Sequence, residues 1–220
     1  MDAILAPTKG TLNWGKPLDY LLGSDHVMRD ASAIICVGEG ERRRLQEELP
    51  DQRVVYLPNG VDVDRFSSGD ADRFREAHPI PDAARIVLYV GGIYAQKDQL
   101  QLLDAFLAAR ASHPDLHLVL IGVVYDQDYH DQLVRAIDDA GVTDHVTLVL
   151  NLPFDDPSLP DAYAAAEVFA LASRYETFGI VILEAWSSGV PVIAADVGGI
   201  SDLLQDGENE WNNAIALHDG

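Results

Sequence analysis

From residue 84 onward, short apolar stretches alternate with stretches whose apolar residues recur at helical spacing, and this alternation limits the possible folds more than any other feature. The apolar stretches, predicted as strands, lie at 85–90, 116–122, 145–150, 167–173 and 191–196. The predicted helices lie at 96–110, 128–140, 159–166, 179–188 and 200–206. This order predicts βαβ units, and therefore an α/β fold in which a doubly wound parallel sheet carries helices on both faces.

The ligand of such a sheet binds at the carboxyl ends of its strands, so the candidate site lies in the loops that leave them. These loops lie at 91–97, 122–126, 151–157, 174–179 and 196–200. No G-x-G-x-x-G follows a predicted strand, which argues against a dinucleotide-dependent dehydrogenase. No G-x-S-x-G is present to suggest a covalent hydrolase.

The first 83 residues follow a different pattern. A helix is predicted near 18–30, a strand at 32–38, a helix at 39–49 and a strand at 53–58. The stretch 59–74 is predicted to be a polar connector, because it opens with Asn-Gly turn chemistry. We therefore expect two domains, 1–60 and 61–220, with the larger parallel sheet in the second.

The charge balance is unusual. The chain has 36 acidic and 15 basic residues, a net charge of −21, and its only lysines are Lys9, Lys16 and Lys97. A nucleic acid would be repelled by such a surface and is excluded as a partner. The composition resembles that of proteins from halophiles, and we expect the stability of the fold to rise with salt because salt screens repulsion between carboxylates.

Three further features concern compartment and chemistry. No uncharged apolar run is long enough to span a membrane, and the start of the chain lacks the pattern of a secretory signal, so a cytoplasmic protein is expected. Cys36 is the single cysteine, which excludes a disulfide framework. We interpret the Asp62/Asp64 and Asp126/Asp128 pairs as chance occurrences in an aspartate-rich chain, and we predict no metal site.

Two carboxylates stand out in the stretch "ETFGIVILEAW". Glu184 lies within an apolar helical run, and Glu176 precedes it by eight residues. A buried carboxylate without a partner costs several kcal/mol or is protonated, so either Glu184 reaches water or pairs with Arg174, or a ligand binds it. Because Thr177, Phe178 and Gly179 open the helix, its first N–H groups form a candidate anion site. An anion site beside two carboxylates that accept from hydroxyls suits a nucleotide sugar.

A second candidate site follows the strand at 85–90. Gly91 and Gly92 come directly after it, and Lys97 stands at the start of the next helix. A glycine loop allows close approach of a ligand, and a lysine at a helix start is placed to meet phosphate. The alternative interpretation is a solvated lysine at the surface.

Together these motifs resemble the second lobe of retaining GT-B glycosyltransferases, specifically glycosyltransferase family 4. Glu176 and Glu184 match the E-x7-E signature of that family, within "ETFGIVILEAWSSGVPVIAADVGG". The segments "YLPNGVDVDRF" and "YVGGIYAQKDQLQLLDAF" resemble its inter-lobe connector and the opening of its second lobe. The resemblance covers roughly residues 32–209. A non-hydrolysing sugar-nucleotide epimerase of the same architecture remains an alternative.

The resemblance implies two Rossmann-like lobes that face each other across a cleft, and a nucleotide-diphosphate sugar as co-substrate without a metal or other cofactor. Glu176 is implied to act at the donor sugar and Glu184 at the ribose hydroxyls. The N–H groups of Phe178, Gly179 and Ile180 are implied to hold the diphosphate together with Lys97. The implied function is transfer of the sugar to an unknown glycan or lipid-linked acceptor.

The sequence departs from the family in two ways. Gly92 stands where the family usually has an arginine, which removes one phosphate-stabilising cation, and Arg174 is a candidate substitute. Most of the acceptor-binding lobe would precede residue 1, so residues 1–60 are interpreted as its remnant and 61–220 as a donor-binding lobe truncated at its end. The alternative function is therefore a lobe that binds a nucleotide sugar or a protein without catalysing transfer.

Overall fold

The first of the two compact units contains one small parallel strand pair. In the computed structural model the described residues are 24–153, 155–204 and 215–217, and the chain divides into Met1–Asn59 and Gly60–Gly220. The elements of the first unit are α1 (Ser24–Asp30), β1 (Ile34–Cys36), α2 (Glu39–Glu48) and β2 (Val54–Tyr56). The predicted helix at 18–30 therefore lies partly outside the described residues.

Burial of three side chains organises this first unit. β1 and β2 pair in parallel from Ile34–Val54 to Cys36–Tyr56. Cys36, Leu45 and Val54 form the buried cluster between the strands and α2. Burial raises the pKa of the Cys36 thiol, which is 1% exposed, so this cysteine is a core residue as the sequence predicts.

The second unit begins with two short helices and then alternates strands and helices. Its elements are α3 (Val63–Phe66), α4 (Ala71–Ala77), β3 (Arg85–Val90), α5 (Gln99–Arg110), β4 (Leu116–Gly122), α6 (Gln127–Asp139), β5 (Val146–Leu150), α7 (Ser158–Ala165), β6 (Ala166–Leu171), α8 (Ile180–Ser187), β7 (Val192–Ala195), α9 (Ile200–Leu203) and β8 (Ile215–Leu217). Short 3₁₀ turns precede α5 and β5, at Ala95–Lys97 and Thr143–His145. The predicted helix at 200–206 ends earlier, at Leu203, because Leu204 has an extended backbone; residues 205 and 206 lie outside the described part of the chain.

The sheet is parallel and doubly wound, which confirms the predicted fold class. Its described strands lie in the order β5-β4-β3-β6-β7-β8, and every neighbouring pair is parallel. The chain moves from β3 outward to β5, and then returns to β6 on the other side of β3. Right-handed crossovers therefore place α5 and α6 on one face and α7, α8 and α9 on the other. The strand order reverses between β3 and β6, so their carboxyl ends open a crevice between oppositely directed connections.

The core of the unit consists of the branched and aromatic side chains of the central strands. Ile86, Leu88, Leu118, Leu120 and Phe169 are fully buried. Strands buried on both faces lack a polar side, which is why the sequence shows them as continuous apolar runs. The predicted strands at 85–90 and 116–122 coincide with β3 and β4.

The prediction of a polar connector at 59–74 is wrong. This stretch contains α3 and the start of α4, and its two phenylalanines, Phe66 and Phe74, are 2% and 1% exposed. Asp62 accepts from Arg65 N–H at 3.0 Å and caps α3. Asp70 caps α4 in the same way. The polar residues that suggested a loop are therefore the N-caps of short helices, each of which buries one ring.

A further strand and the lengths of the helices complete the description of the fold. Strand β8 lies in the segment "EWNNAIALHDG", for which the sequence predicts no element. Among the described residues, no helix is both long and apolar enough to cross a membrane.

Candidate functional site

The crevice between β3 and β6 brings together two residues that are 79 positions apart. Lys97 Nζ contacts Glu176 Oε1, and the two side chains are 17% and 9% exposed. Ser173 Oγ donates to the same Glu176 oxygen at 2.9 Å. Lys97 follows β3 and Glu176 follows β6, so the reversal of strand order is what makes them neighbours.

A second ion pair lies beside the first. Arg174 Nε donates to Asp98 Oδ2 at 2.6 Å, and its Nη2 donates to Asp98 Oδ1 at 3.3 Å. The neighbouring carboxylate raises the pKa of Arg174. Arg174 thus pairs with Asp98, and the interpretation in which it pairs with Glu184 is wrong.

The first turn of α8 offers unpaired backbone donors. Gly179 precedes the helix with φ of +82°, a conformation that a glycine adopts without strain. The N–H groups of Phe178, Gly179 and Ile180 donate to no acceptor within the described residues. Free N–H groups at the start of an eight-residue helix attract an anion, and the helix dipole adds to that attraction.

Two further glycines support the backbone of this site. A Cβ on Gly198 would lie 2.1 Å from the carbonyl oxygen of Glu176, and a Cβ on Gly199 would lie 2.0 Å from that of Thr177. Gly199 N–H donates to the Glu176 carbonyl at 2.8 Å. The loop after β7 therefore presses against the loop that carries Glu176, and only glycine permits the approach. Both glycines lie in the predicted candidate loop at 196–200, but no sequence pattern assigned them a role.

Glu184 is buried and has a partner. It is 3% exposed, and its Oε2 accepts from the hydroxyl of Tyr163 at 2.7 Å. Burial raises the pKa of Glu184, while the Tyr163 hydrogen bond opposes that rise. Tyr163 is itself fully buried, and its ring packs edge-on against Phe66 at 5.5 Å between centroids. The carboxylate in the apolar run is thus held by a tyrosine of α7, a partner that the sequence analysis missed.

The glycine loop after β3 is packed by tyrosine rings. A Cβ on Gly91 would lie 2.6 Å from Tyr89 Oη. A Cβ on Gly92 would lie 2.7 Å from the ring of Tyr125 and 2.9 Å from that of Tyr94. These two rings meet edge to face at 5.8 Å, and Tyr125 is 73% exposed. An arginine at position 92 would therefore collide with the rings unless they moved.

Asp62 and Asp126, one residue of each D-x-D pair in the sequence, cap helices. Asp126 caps α6 by accepting from Tyr129 N–H at 3.0 Å, as Asp62 caps α3. Within the described ranges, no group of three or more His, Cys, Asp or Glu residues is placed to hold a metal ion.

An open groove of about 500 Å³ lies beside the crevice. It runs between α5 and the face of β6 and β7 that no described helix covers, along Phe106, Val168, Ala170 and Ile193. Ser173 and Arg174 line one end of the groove, whereas Lys97, Glu176 and Glu184 are not part of its wall.

The sequence and the fold of this chain are similar to those of known proteins. Residues 70–216 match the family described as glycosyl transferases group 1. The chain belongs to this family. Its fold is that of the GT-B glycosyltransferases, because the solved structures that superpose on the chain are glycosyltransferases of that architecture.

Among the relatives, a D-inositol 3-phosphate glycosyltransferase from Mycolicibacterium gilvum is 33% identical over 84% of this chain and 42% of its own length. A GDP-mannose-dependent alpha-(1-6)-phosphatidylinositol monomannoside mannosyltransferase from Mycolicibacterium smegmatis is 33% identical over 83% of this chain and 49% of its own. The chain thus spans less than half the length of these relatives. The crystal structure of Anabaena Alr3699/HepE in complex with UDP and glucose is 25% identical, with a TM-score of 0.74 over 90% of this chain and 53% of that one.

The structure brings most of the predicted site residues to one edge of the sheet. Lys97, Gly91 and Gly92 follow β3, whereas Arg174, Glu176 and the start of α8 follow β6. Ser173, Asp98 and Tyr163 also belong to the site, and no sequence pattern singled them out. Ser173 ends the predicted strand at 167–173 and Asp98 lies in the predicted helix at 96–110, each directly beside a predicted loop, but their role depends on the partner loop, which no local pattern identifies.

Proposed function

We propose that this chain carries the donor-binding half of a retaining glycosyltransferase of family 4, which uses a nucleotide-diphosphate sugar. The observation that supports the proposal is the set of N–H groups at the start of α8 that donate to no acceptor in the described part of the chain; they closely follow Glu176, whose carboxylate contacts Lys97. Fixed N–H donors and one lysine stabilise the charge that develops on a leaving diphosphate. The resemblance implies that this charge is met without a metal ion.

In the proposed complex each site residue has a distinct role. The N–H groups of Phe178, Gly179 and Ile180 bind the diphosphate. The Lys97 side chain leaves Glu176 and binds the diphosphate oxygens. Glu176, released from Lys97, accepts from hydroxyls of the donor sugar. Glu184 accepts from the ribose, in an orientation fixed by Tyr163 at 2.7 Å.

The proposed reaction breaks the bond between the anomeric carbon and the diphosphate oxygen. An acceptor hydroxyl forms the new bond on the same face of the sugar, and its proton passes to the leaving diphosphate. Holding both reactants in one closed cleft lowers the entropic part of the barrier. In this proposal the acceptor is a glycan or a lipid-linked alcohol, residues 1–60 are the end of an acceptor-side lobe, and the protein acts in the cytoplasm of a halophile.

The test is calorimetry of the 220-residue chain with UDP-, GDP- and ADP-sugars in molar KCl. One donor is expected to bind, and Glu184→Ala is expected to weaken it at least about tenfold, since hydrogen bonds to a charged group contribute roughly 1.5–3 kcal/mol. Glu76→Ala, which removes an exposed carboxylate from α4, is the matched control and should bind as the wild type does.

Two results would contradict the proposal: no binding of any donor, or equal affinity in the wild type and Glu184→Ala. If a donor binds, an assay for sugar transfer or donor hydrolysis shows whether the chain catalyses the reaction or only binds the donor. The second candidate, binding without transfer, is favoured by Gly92, because the tyrosine rings occupy the space that a cationic side chain would need there.

A further inference from the structure

Two adjacent residues after β3 form ion pairs of opposite polarity with two residues after β6. Lys97 pairs with Glu176, and Asp98 pairs with Arg174. Asp98 is 4% exposed, whereas the Arg174 side chain is 64% exposed. The first pair contains the proposed ligands of the diphosphate and the sugar, but the second pair has no role in the proposed function.

The backbone conformation of Asp98 and its missing cap hydrogen bond indicate that its carboxylate binds Arg174 and not the first turn of α5. Asp98 is the N-cap residue of α5, at φ +51° and ψ +44°, and its side chain caps no amide of that helix. Aspartate is a preferred N-cap and normally accepts from the N–H groups of the first turn. A left-handed backbone also costs more for aspartate than for glycine, although aspartate adopts it more readily than most residues with a Cβ. Both local preferences are overridden where the carboxylate meets the two guanidinium nitrogens.

Hydrogen bonds fix the chain on both sides of Lys97. Lys97 N–H donates to the Tyr94 carbonyl at 2.9 Å, and Arg174 N–H donates to the Gln96 carbonyl at 2.9 Å. The Gln96 side chain donates to the Tyr175 carbonyl at 3.2 Å. Gln96 is therefore held against the β6 loop directly before Lys97, and the Asp98–Arg174 pair holds the chain directly after it.

We infer that Asp98 and Arg174 are positioning residues that hold Lys97 beside the first turn of α8, so that binding of a nucleoside diphosphate depends on a pair that does not touch it. The inference rests on the proposed function. A lysine side chain has many rotamers, and a ligand that must order both the loop and the side chain binds more weakly. When Asp98 and Arg174 already fix the loop, the ligand has to order only the Lys97 side chain.

The chain offers a matched control for this pair. Arg85 Nη2 and Glu167 Oε1 form an ion pair at 2.7 Å between the same two strands, at their opposite ends. These side chains are 43% and 50% exposed. Breaking that pair removes a β3–β6 salt bridge without changing the crevice.

The experiment measures the Kd of UDP, GDP and ADP by calorimetry, and that of uridine, guanosine and adenosine by ligand-observed NMR, all in molar KCl. For the base that the wild type binds, Asp98→Asn and Arg174→Gln are expected to raise the diphosphate Kd about tenfold, or about 1.4 kcal/mol. The nucleoside Kd should not change, because a nucleoside has no phosphate for Lys97. Arg174→Lys should retain part of the affinity, and Glu167→Gln all of it.

A double-mutant cycle with Lys97 makes the test specific. In a Lys97→Gln background neither Asp98→Asn nor Arg174→Gln should raise the diphosphate Kd further, since the residue they position is gone. Asparagine tolerates the left-handed backbone, and the Gln96 contacts remain, so Asp98→Asn is expected to fold; its melting temperature is compared with that of the wild type.

Each other outcome overturns the inference in a recognisable way. Tighter diphosphate binding by Asp98→Asn would mean that a freed Arg174 binds phosphate itself. Equal losses for diphosphate and nucleoside would mean structural damage. A wild type that binds a diphosphate, with both variants unchanged, rejects the positioning role alone, whereas a wild type that binds none rejects the proposed function as well.

Discussion

At the scale of single residues, burial of the Glu184 carboxylate lowers the free energy of unfolding when the group is ionised. Its carboxyl lies on a helix whose apolar face is buried, and it has one hydroxyl as partner. Burial raises its pKa, so the folded state holds the proton more tightly than the unfolded chain does. The free energy of unfolding therefore falls as the pH rises from the ordinary value of 4.5 through the raised one.

Glu184→Gln should stabilise the fold at neutral pH. Glutamine keeps an acceptor for Tyr163 and does not ionise, so the cost of burying a charge disappears. We expect a higher melting temperature than that of the wild type near pH 7, and a difference that vanishes at pH values below about 4. Glu76→Gln, on the exposed side of α4, removes the same formal charge and controls for general repulsion. A stabilisation that is equal for both variants would contradict the assignment to burial.

Gly198 is the second residue with a specific prediction. Gly198→Ala places a Cβ 2.1 Å from the Glu176 carbonyl oxygen at φ +56°. The expected loss of stability is about 2–4 kcal/mol, from overpacking and left-handed strain together. Gly189 also has a positive φ, +74°, but no atom lies within 4 Å of a Cβ placed there. Gly189→Ala should therefore lower the free energy of unfolding by only about 1 kcal/mol. Urea unfolding measures both, and equal losses would show that the contact with Glu176 is unimportant.

At the scale of elements, a buried carboxylate joins α4 to α7. Asp161 is 1% exposed, and its Oδ1 accepts from Asp70 N–H at 2.7 Å and from Arg73 Nη2 at 2.6 Å. Asp161→Ala leaves these donors without a partner, and we expect a loss of about 2 kcal/mol in urea unfolding. Glu167→Ala, which breaks the exposed pair with Arg85, should lose less than about 1 kcal/mol. Similar losses for the two variants would mean that α4 does not depend on Asp161.

Most elements were predictable because their signal is local. β3 and β4 were located to the residue, since a strand buried on both faces shows as an uninterrupted apolar run. α3 and α4 were missed, because four to seven residues with one buried ring carry too little periodicity. Phe66 is recognisable as a core residue only beside Tyr163, which lies far along the chain.

At the scale of the whole molecule, net charge is expected to govern stability. A charge of −21 on 220 residues creates repulsion that unfolding relieves. We expect the melting temperature to rise by at least about 5 °C between roughly 0.02 M and 1 M KCl, because the Debye length falls below the spacing of surface charges. Sodium chloride should act equally if screening is the cause. A melting temperature independent of salt would contradict this prediction.

The class of fold could be predicted from the sequence alone, and the proposed ligand edge of the sheet rests on the same local patterns. Apolar runs, helical periods and glycine-rich loops are each properties of a short stretch, so they can be recognised without a partner. The contacts of Glu184 with Tyr163, of Lys97 with Glu176 and of Arg174 with Asp98 form only when distant parts of the chain come together in the fold. Tyr163 and Glu184 are 21 positions apart and meet where α7 packs beside α8. The other two pairs join residues 79 and 76 positions apart, and they depend on β6 returning beside β3. Which loops face each other is set by the order of strands in the sheet, and no local pattern records that order.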